Sequence, residues 1–206
     1  LNQQAVAAAE VGNGGDVIVC RNADESIKSV ELLDYYEGRA RYGIVPELGR
    51  DDLGALDKAR YAVKRLSRID PDSATRYEGE INRFLEDTHF WSGVELVDVP
   101  DSSHIAIPRG CRIEQVAIQN PPEFPEEKYF TVSADLWEAM RENDRAGLIL
   151  HEIIFREALS KQFHRDSKGT RYYNNVISSN AVIGFEHKEY ISVLNSVDFT
   201  KGGFLI

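Results

Sequence analysis

The chain has 206 residues, 42% of them hydrophobic and 28% charged, enough for one sizeable core. Lys+Arg 24 against Asp+Glu 34 leaves a formal net charge of −10. A surface that acidic repels phosphate backbones and argues against nucleic-acid binding. No run approaches the roughly 18 apolar residues needed to cross a bilayer, so no membrane span is expected.

Residues 1–10 are small and polar, and the only methionine, Met140, is internal. They read as the start of a mature chain after removal of a signal peptide. Gly12, Gly14 and Gly15 form a turn without the Lys and Ser/Thr of a phosphate loop. Residues 16–20 are β-branched and read as a strand. The chain therefore divides into an N-terminal segment with its first strand, residues 1–20, and one α+β domain, residues 21–206. Apolar residues at 27, 30, 33 and 36 predict a helix over 26–42. A second helix is expected over 51–69, and Pro71 breaks it before a third over 73–90. Asp51, Asp52, Asp70 and Asp72 read as caps and turns, since the order of acids and glycine in a calcium loop is missing.

The texture then turns to strands. Residues 94–99 and 112–119 alternate, 105–108 is a short extended piece, and 128–132 is another strand. The prolines at 121, 122 and 125 mark a loop between the last two strands. Ser133 caps a helix through Met140; the next helix runs from residue 143 or 144 through 162, and a shorter one covers 169–177. The tail over 181–197 fits helix or strand. Together these predict N-terminal helices followed by a small antiparallel sheet with helices packed on it. Aromatic residues, among them Tyr35, Tyr172, Trp91 and Trp137, are expected mostly in the core rather than in a binding groove.

Cys20 and Cys111 are the only cysteines. In an exported protein they pair as one disulfide, closing a loop of about 90 residues and adding a few kcal/mol. In a cytosolic one they are two buried thiols.

One segment carries a chemical signal. Residues 148–159 are apolar nearly all the way round a helical wheel, so the helix is buried, yet they hold His151 and Glu152 side by side. A buried carboxylate needs a partner, a proton or a cation. On the bland reading, Arg156, Glu157, Arg171, Tyr172 and Asn175 supply partners and the whole is a structural network. On the sharper one, His151 and Glu152 are catalytic.

The order of strand 128–132, helix 135–141, acidic cap 142–144 and the run ending in His151-Glu152 resembles the gluzincin metallopeptidases. The resemblance covers roughly 30 residues. It implies a zincin-like fold, His151 as a zinc ligand and Glu152 as general base. The second histidine of the family's HExxH belongs at position 155, where this chain has Phe155. His164, Asp166 and Glu157 are the remaining candidates to complete a zinc site with His151. The His-Glu helix followed by Asp166, Ser167, Arg171, Tyr172 and Asn175 is also similar to exported bacterial proteins. That similarity implies a periplasmic or secreted setting, with a cell-wall glycan, a peptide or an envelope protein as partner. Finally, Glu152-Ile153-Ile154-Phe155 is loosely similar to the acid element of lysozyme-like glycosidases. A desolvated Glu152 would be the general acid there, with a second carboxylate 5 to 9 Å away. Glu157 cannot supply it, standing about 140° round the helix.

Overall fold

A computed structural model describes residues 14–96, 105–161 and 166–199. It is a mixed α+β fold that begins with strands rather than helices. β1 (Asp16–Arg21) and β2 (Ile27–Leu32) form a hairpin, and β4 (Cys111–Gln115) pairs antiparallel on the other side of β1, giving the order β2-β1-β4. A second sheet has the order β3-β6-β5, where β3 (Thr88–Trp91) runs parallel to β6 (Phe130–Ser133) and β5 (Ala117–Gln119) antiparallel to it. The single residue Val116 carries the chain from β4 into β5.

The helix expected over 26–42 is replaced in its first half by β2. Val30 and Leu32 also fit a period of 2: they lie inward opposite Val19 and Val17, while Glu31 points away. Pairing with the β-branched β1 satisfies both chains, and the helix starts only at Leu33. The hairpin turn sets Glu25 at φ 64°, inside the left-handed region, and Asn22 N–H closes it on the Ser26 carbonyl at 2.9 Å. α1 (Leu33–Glu37) then runs on into a π-helical turn, Gly38–Tyr42.

The second expected helix is α2 (Ala55–Lys64) followed by a 3₁₀ turn, Arg65–Arg68. The third is shorter than predicted. α3 (Pro71–Arg83) starts on Asp70, whose side chain accepts from Ser73 N–H at 3.0 Å, and it stops before the β-branched and aromatic residues of β3. The strand expected over 94–99 is not regular structure at 94–96, and 97–99 lie outside the described residues; 105–108 is likewise irregular. α4 (Ala134–Ala139), α5 (Glu142–Ser160) and α6 (Lys168–Ile177) follow close to expectation. The tail resolves as a 3₁₀ turn, Asn180–Gly184, and α7 (His187–Ser196), the latter with a full Glu186/Glu189 capping box.

α5 is the centre of the molecule. Its acidic first turn suits the helix dipole, and Asp144 there also accepts from Leu32 N–H at 3.1 Å, tying the helix to β2. α5 packs on α1, α2, α3, α6, β2 and β5 together. A helix so enclosed is apolar on every side, as the sequence required. Gly147 lets its neighbours come close: a Cβ there would stand 2.5 Å from the Tyr35 ring and 2.6 Å from Leu32. Among the described residues no helix is long and apolar enough to cross a membrane.

Cys20 and Cys111 form the disulfide. They sit opposite one another on β1 and β4, with Cα atoms 4.1 Å apart. That close spacing belongs to a non-hydrogen-bonded antiparallel pair, where side chains face each other most directly.

Candidate functional site

His151 and Glu152 are both 0% exposed. Consecutive positions on a helix diverge by about 100°, so the two side chains reach different neighbours. His151 turns toward α1 and α6. Its Nδ1 lies 2.9 and 3.1 Å from the two oxygens of Asp34, itself 0% exposed. Asn174 donates to the same carboxylate at 2.7 Å and to the Gly147 carbonyl at 2.9 Å. Facing a carboxylate, Nδ1 is the nitrogen that carries the proton. Nε2 is buried with no hydrogen-bond partner among the described residues.

Glu152 turns toward β5 and the strand entering β1. Gly15 N–H donates to Oε1 at 2.6 Å, and Gln119 Nε2 donates to Oε2 at 2.8 Å and to the Glu152 carbonyl at 2.9 Å. Only glycine fits at position 15, since a Cβ would stand 2.3 Å from Leu148 and 3.0 Å from Oε1. The network continues along α6. Asn175 donates to the backbone carbonyls of Asp34 and Arg171 at 2.7 and 2.9 Å. Arg171 donates to Glu37 at 2.7 Å and to Ser167 at 2.7 Å. Tyr35 O–H reaches Ser178, whose hydroxyl donates to Asn174.

Burial works to lower the His151 pKa, but the charge and hydrogen bond of Asp34, with Glu152 adding to them, outweigh it and Arg171; the net direction is up. Burial also pushes the Glu152 carboxyl up, against His151, Gln119 and Gly15, which favour its charge. Raised carboxyl and imidazole pKa values suit general acid–base chemistry, but a catalytic group must also touch a substrate. Both Glu152 oxygens are occupied by the protein, and neither residue presents surface. The 590 Å³ cleft beside β4 is lined by other residues.

The resemblance to metallopeptidases implies a zinc ion, and the donor set does not fit one. Phe155 occupies the position one turn beyond His151, its ring 6.0 Å from the imidazole, and Asp34 is engaged on Nδ1. Asp166 is half-exposed and pairs with Lys168 at 3.3 Å, while His164 lies outside the described residues. Among the described residues no three His, Cys, Asp or Glu side chains stand together as a metal site.

Of the five residues expected to support the pair, Arg171 and Asn175 belong to the network and three do not. Arg156 reaches Glu80 at 3.0 Å and lies over the Tyr129 ring at 4.0 Å. Glu157 faces α3, accepting from Tyr77 O–H at 2.6 Å and from Arg76 at 2.9 Å, so it does not flank Glu152. Tyr172 packs edge-on against Tyr42. The residues that do hold the pair, Asp34, Glu37, Asn174, Gln119 and Gly15, come from four separate stretches. The one local hint was the doublet Asn174-Asn175 on an otherwise ordinary amphipathic helix.

No known family model matches the chain, and no curated protein sequence or solved structure matches it at a significant level.

Proposed function

We propose that this chain is an exported, disulfide-stapled α+β domain, zincin-like in its strand–helix unit, in which His151 and Glu152 hold the fold and do no zinc hydrolysis. One observation carries the reading: Glu152 is fully enclosed, with each oxygen already accepting a hydrogen bond from the protein. The strand-to-strand disulfide supports the exported setting, because such bonds persist in oxidising compartments.

The test compares Glu152→Gln with Glu152→Ala. Gln119 Oε1 is buried without a partner, so a flip of the Gln119 amide would let it accept from a glutamine at 152. The flip gives up the bond to the Glu152 carbonyl, so Glu152→Gln is expected to cost about 1–2 kcal/mol. Glu152→Ala strands the Gly15 and Gln119 donors and opens a cavity, at about 3–5 kcal/mol. Chemical denaturation gives both values, alongside metal analysis and digestion of casein and peptidoglycan. Stoichiometric zinc, or hydrolysis abolished by Glu152→Gln at unchanged stability, would overturn the proposal.

A further inference from the structure

We infer that the cleft beside β4 binds a short peptide with free ends, about three residues long, holding its ammonium group at Asp135 and its carboxylate at Arg112. Residues 112–115 of β4 all line this cleft of about 590 Å³, so it follows the strand for three residue steps, about 10 Å. Its two ends differ in charge. Toward one end Arg112 stands opposite Val19, and Arg21 lies two residues further along β1. Both guanidiniums bond the Glu114 carboxylate, Arg112 at 2.6 Å and Arg21 at 2.9 Å. The other end lies where β4 passes into β5. There Ser133 N–H donates to the Val116 carbonyl at 2.9 Å, and Asp135 follows two residues later in the first turn of α4. The charges that act most on Arg112 are Glu114, Glu95 and Glu25; Asp135 is not one of them, in keeping with its place at the far end.

Each end keeps bonding capacity that the protein does not use. Arg112 gives only Nε to Glu114, and its two amino groups bond nothing among the described residues. Glu114 is fully engaged, with Arg21 on both oxygens and Arg112 on one, so two cations meet one anion. Glu95 acts on Arg112 through space from an exposed position and forms no ion pair with it. Asp135 is exposed as well. Its Oδ2 accepts from Gly93 N–H at 2.8 Å, and the carboxylate has no ion pair among the described residues. Ile27, Val94 and Leu136 add apolar surface to the lining.

That arrangement selects the ligand. A carboxylate matches the paired N–H groups of a guanidinium, and an ammonium matches a carboxylate. An extended chain of three residues spans about 10 Å from its amino to its carboxyl group, the spacing of the two ends. Its side chains then lie against the apolar part of the lining, in a volume within the range of ligand sites. The interior of a longer chain carries neither terminal charge, so free ends are the feature recognised.

The probe is alanyl-leucyl-alanine with free ends, compared by titration calorimetry with its N-acetyl form and its C-terminal amide. The free peptide is expected to bind at about 1 mM or tighter, and each capped form about fivefold or more weaker. Asp135→Asn should weaken the free peptide about fivefold and leave the N-acetyl form unchanged. Arg112→Gln should weaken it by a similar factor and leave the amide form unchanged. At equal concentration the Gly93 amide resonance, whose N–H bonds Asp135, should shift more with the free peptide than with the N-acetyl one. Capped forms that bind within about twofold of the free peptide would overturn the inference. So would a preference for the free amino end that survives Asp135→Asn, a preference for the free carboxylate that survives Arg112→Gln, or no binding at about 5 mM. The comparison of capped and free peptides uses the unaltered protein and stands even where a variant fails to fold.

Discussion

Asp34→Asn removes one charge from the buried network and almost no volume. The Asp34 carboxylate accepts from His151 Nδ1 at 2.9 Å and from Asn174 Nδ2 at 2.7 Å. Both bonds end on Oδ2, so an asparagine oxygen placed there can accept both, and its NH2 then takes the Oδ1 position, 3.1 Å from His151 Nδ1. With the ring proton kept on Nδ1, that buried NH2 has no acceptor. With the proton moved to Nε2, Nδ1 accepts from the NH2, but Nε2 has no partner among the described residues. Either arrangement leaves one buried donor unmet, at about 1–3 kcal/mol, and also takes away the anion facing the imidazole. A total of about 2–4 kcal/mol is expected, or about 5–15 °C in the melting temperature at this chain length. The pH dependence distinguishes this account from a general packing defect. His151 has its pKa raised in the folded state, so the fold binds more protons than the unfolded chain. The stabilisation is therefore full below the unfolded value of about 6.5 and is lost as pH rises through the folded pKa. Glu152 is also raised, chiefly by burial that both proteins share, and Asp34 is the last of its causes, so it contributes little to their difference. Calorimetry of wild type and Asp34→Asn from about pH 5.5 to 9 should show the gap narrowing as pH rises. A gap of constant size, or melting within about 1 °C of wild type at pH 6, would refute the reasoning.

Three further outcomes follow from other contacts. Gly147→Ala improves helix propensity by about 1 kcal/mol but drives a Cβ to 2.5 Å from the Tyr35 ring; the clash should win, with a net loss of about 1–3 kcal/mol in urea titration. Cys20→Ser with Cys111→Ser opens a loop spanning a sequence separation of 91, worth about 4–5 kcal/mol, and should lower the melting temperature by about 10–20 °C. Arg156→Ala should cost about 1–2 kcal/mol, since it loses a partly buried pair with Glu80 and the contact over the Tyr129 ring, and should add to Asp34→Asn without coupling. Coupling above about 0.5 kcal/mol would return Arg156 to the network.

Elements defined by their own sequence were legible, and elements defined by a distant partner were not. α5 declared itself because being apolar on all sides is a property of one segment. α3 was marked by Pro71 and the Asp70 cap. Residues 27–32 satisfy helical and strand spacing at once, and only pairing with β1 decides between them. The same limit applied to the site. His151 and Glu152 stood out as polar residues on an apolar helix. Asp34 looked like the solvent side of an amphipathic segment, and Gln119 like a strand end beside a proline loop, because neither carries any local sign of its distance to α5. Arg156 and Glu157 misled for the opposite reason: nearness in sequence suggested them as partners, but Arg156 is drawn to Glu80 and Tyr129 and Glu157 faces α3.

The buried network also accounts for why so many ionisable groups can be tolerated in one core. Glu37 is matched by Arg171 inside and by Arg41 at 3.0 Å nearer the surface, and Asp34 is matched by a histidine whose pKa it helps to raise. Of these three carboxyls Glu152 has no cation bonded to it, and burial pushes its pKa up. Its partners are a backbone amide that fixes the strand entering β1 and a side chain at the end of β5. Asp34, Asn174 and Asn175 do the same for α1 and α6. The bonds of Gly15, Gln119, Asp34 and Asn174 thus join α5 to stretches far away in sequence, and those of Asn174 and Asn175 to Asp34 join α6 to α1, where apolar contact alone would permit sliding. A leucine at 152 would bury as much surface, but it would leave the Gly15 and Gln119 donors unmet and the position of β1 against α5 unspecified. The polar residues of α5 are best understood as setting register between layers, with apolar burial supplying most of the stability.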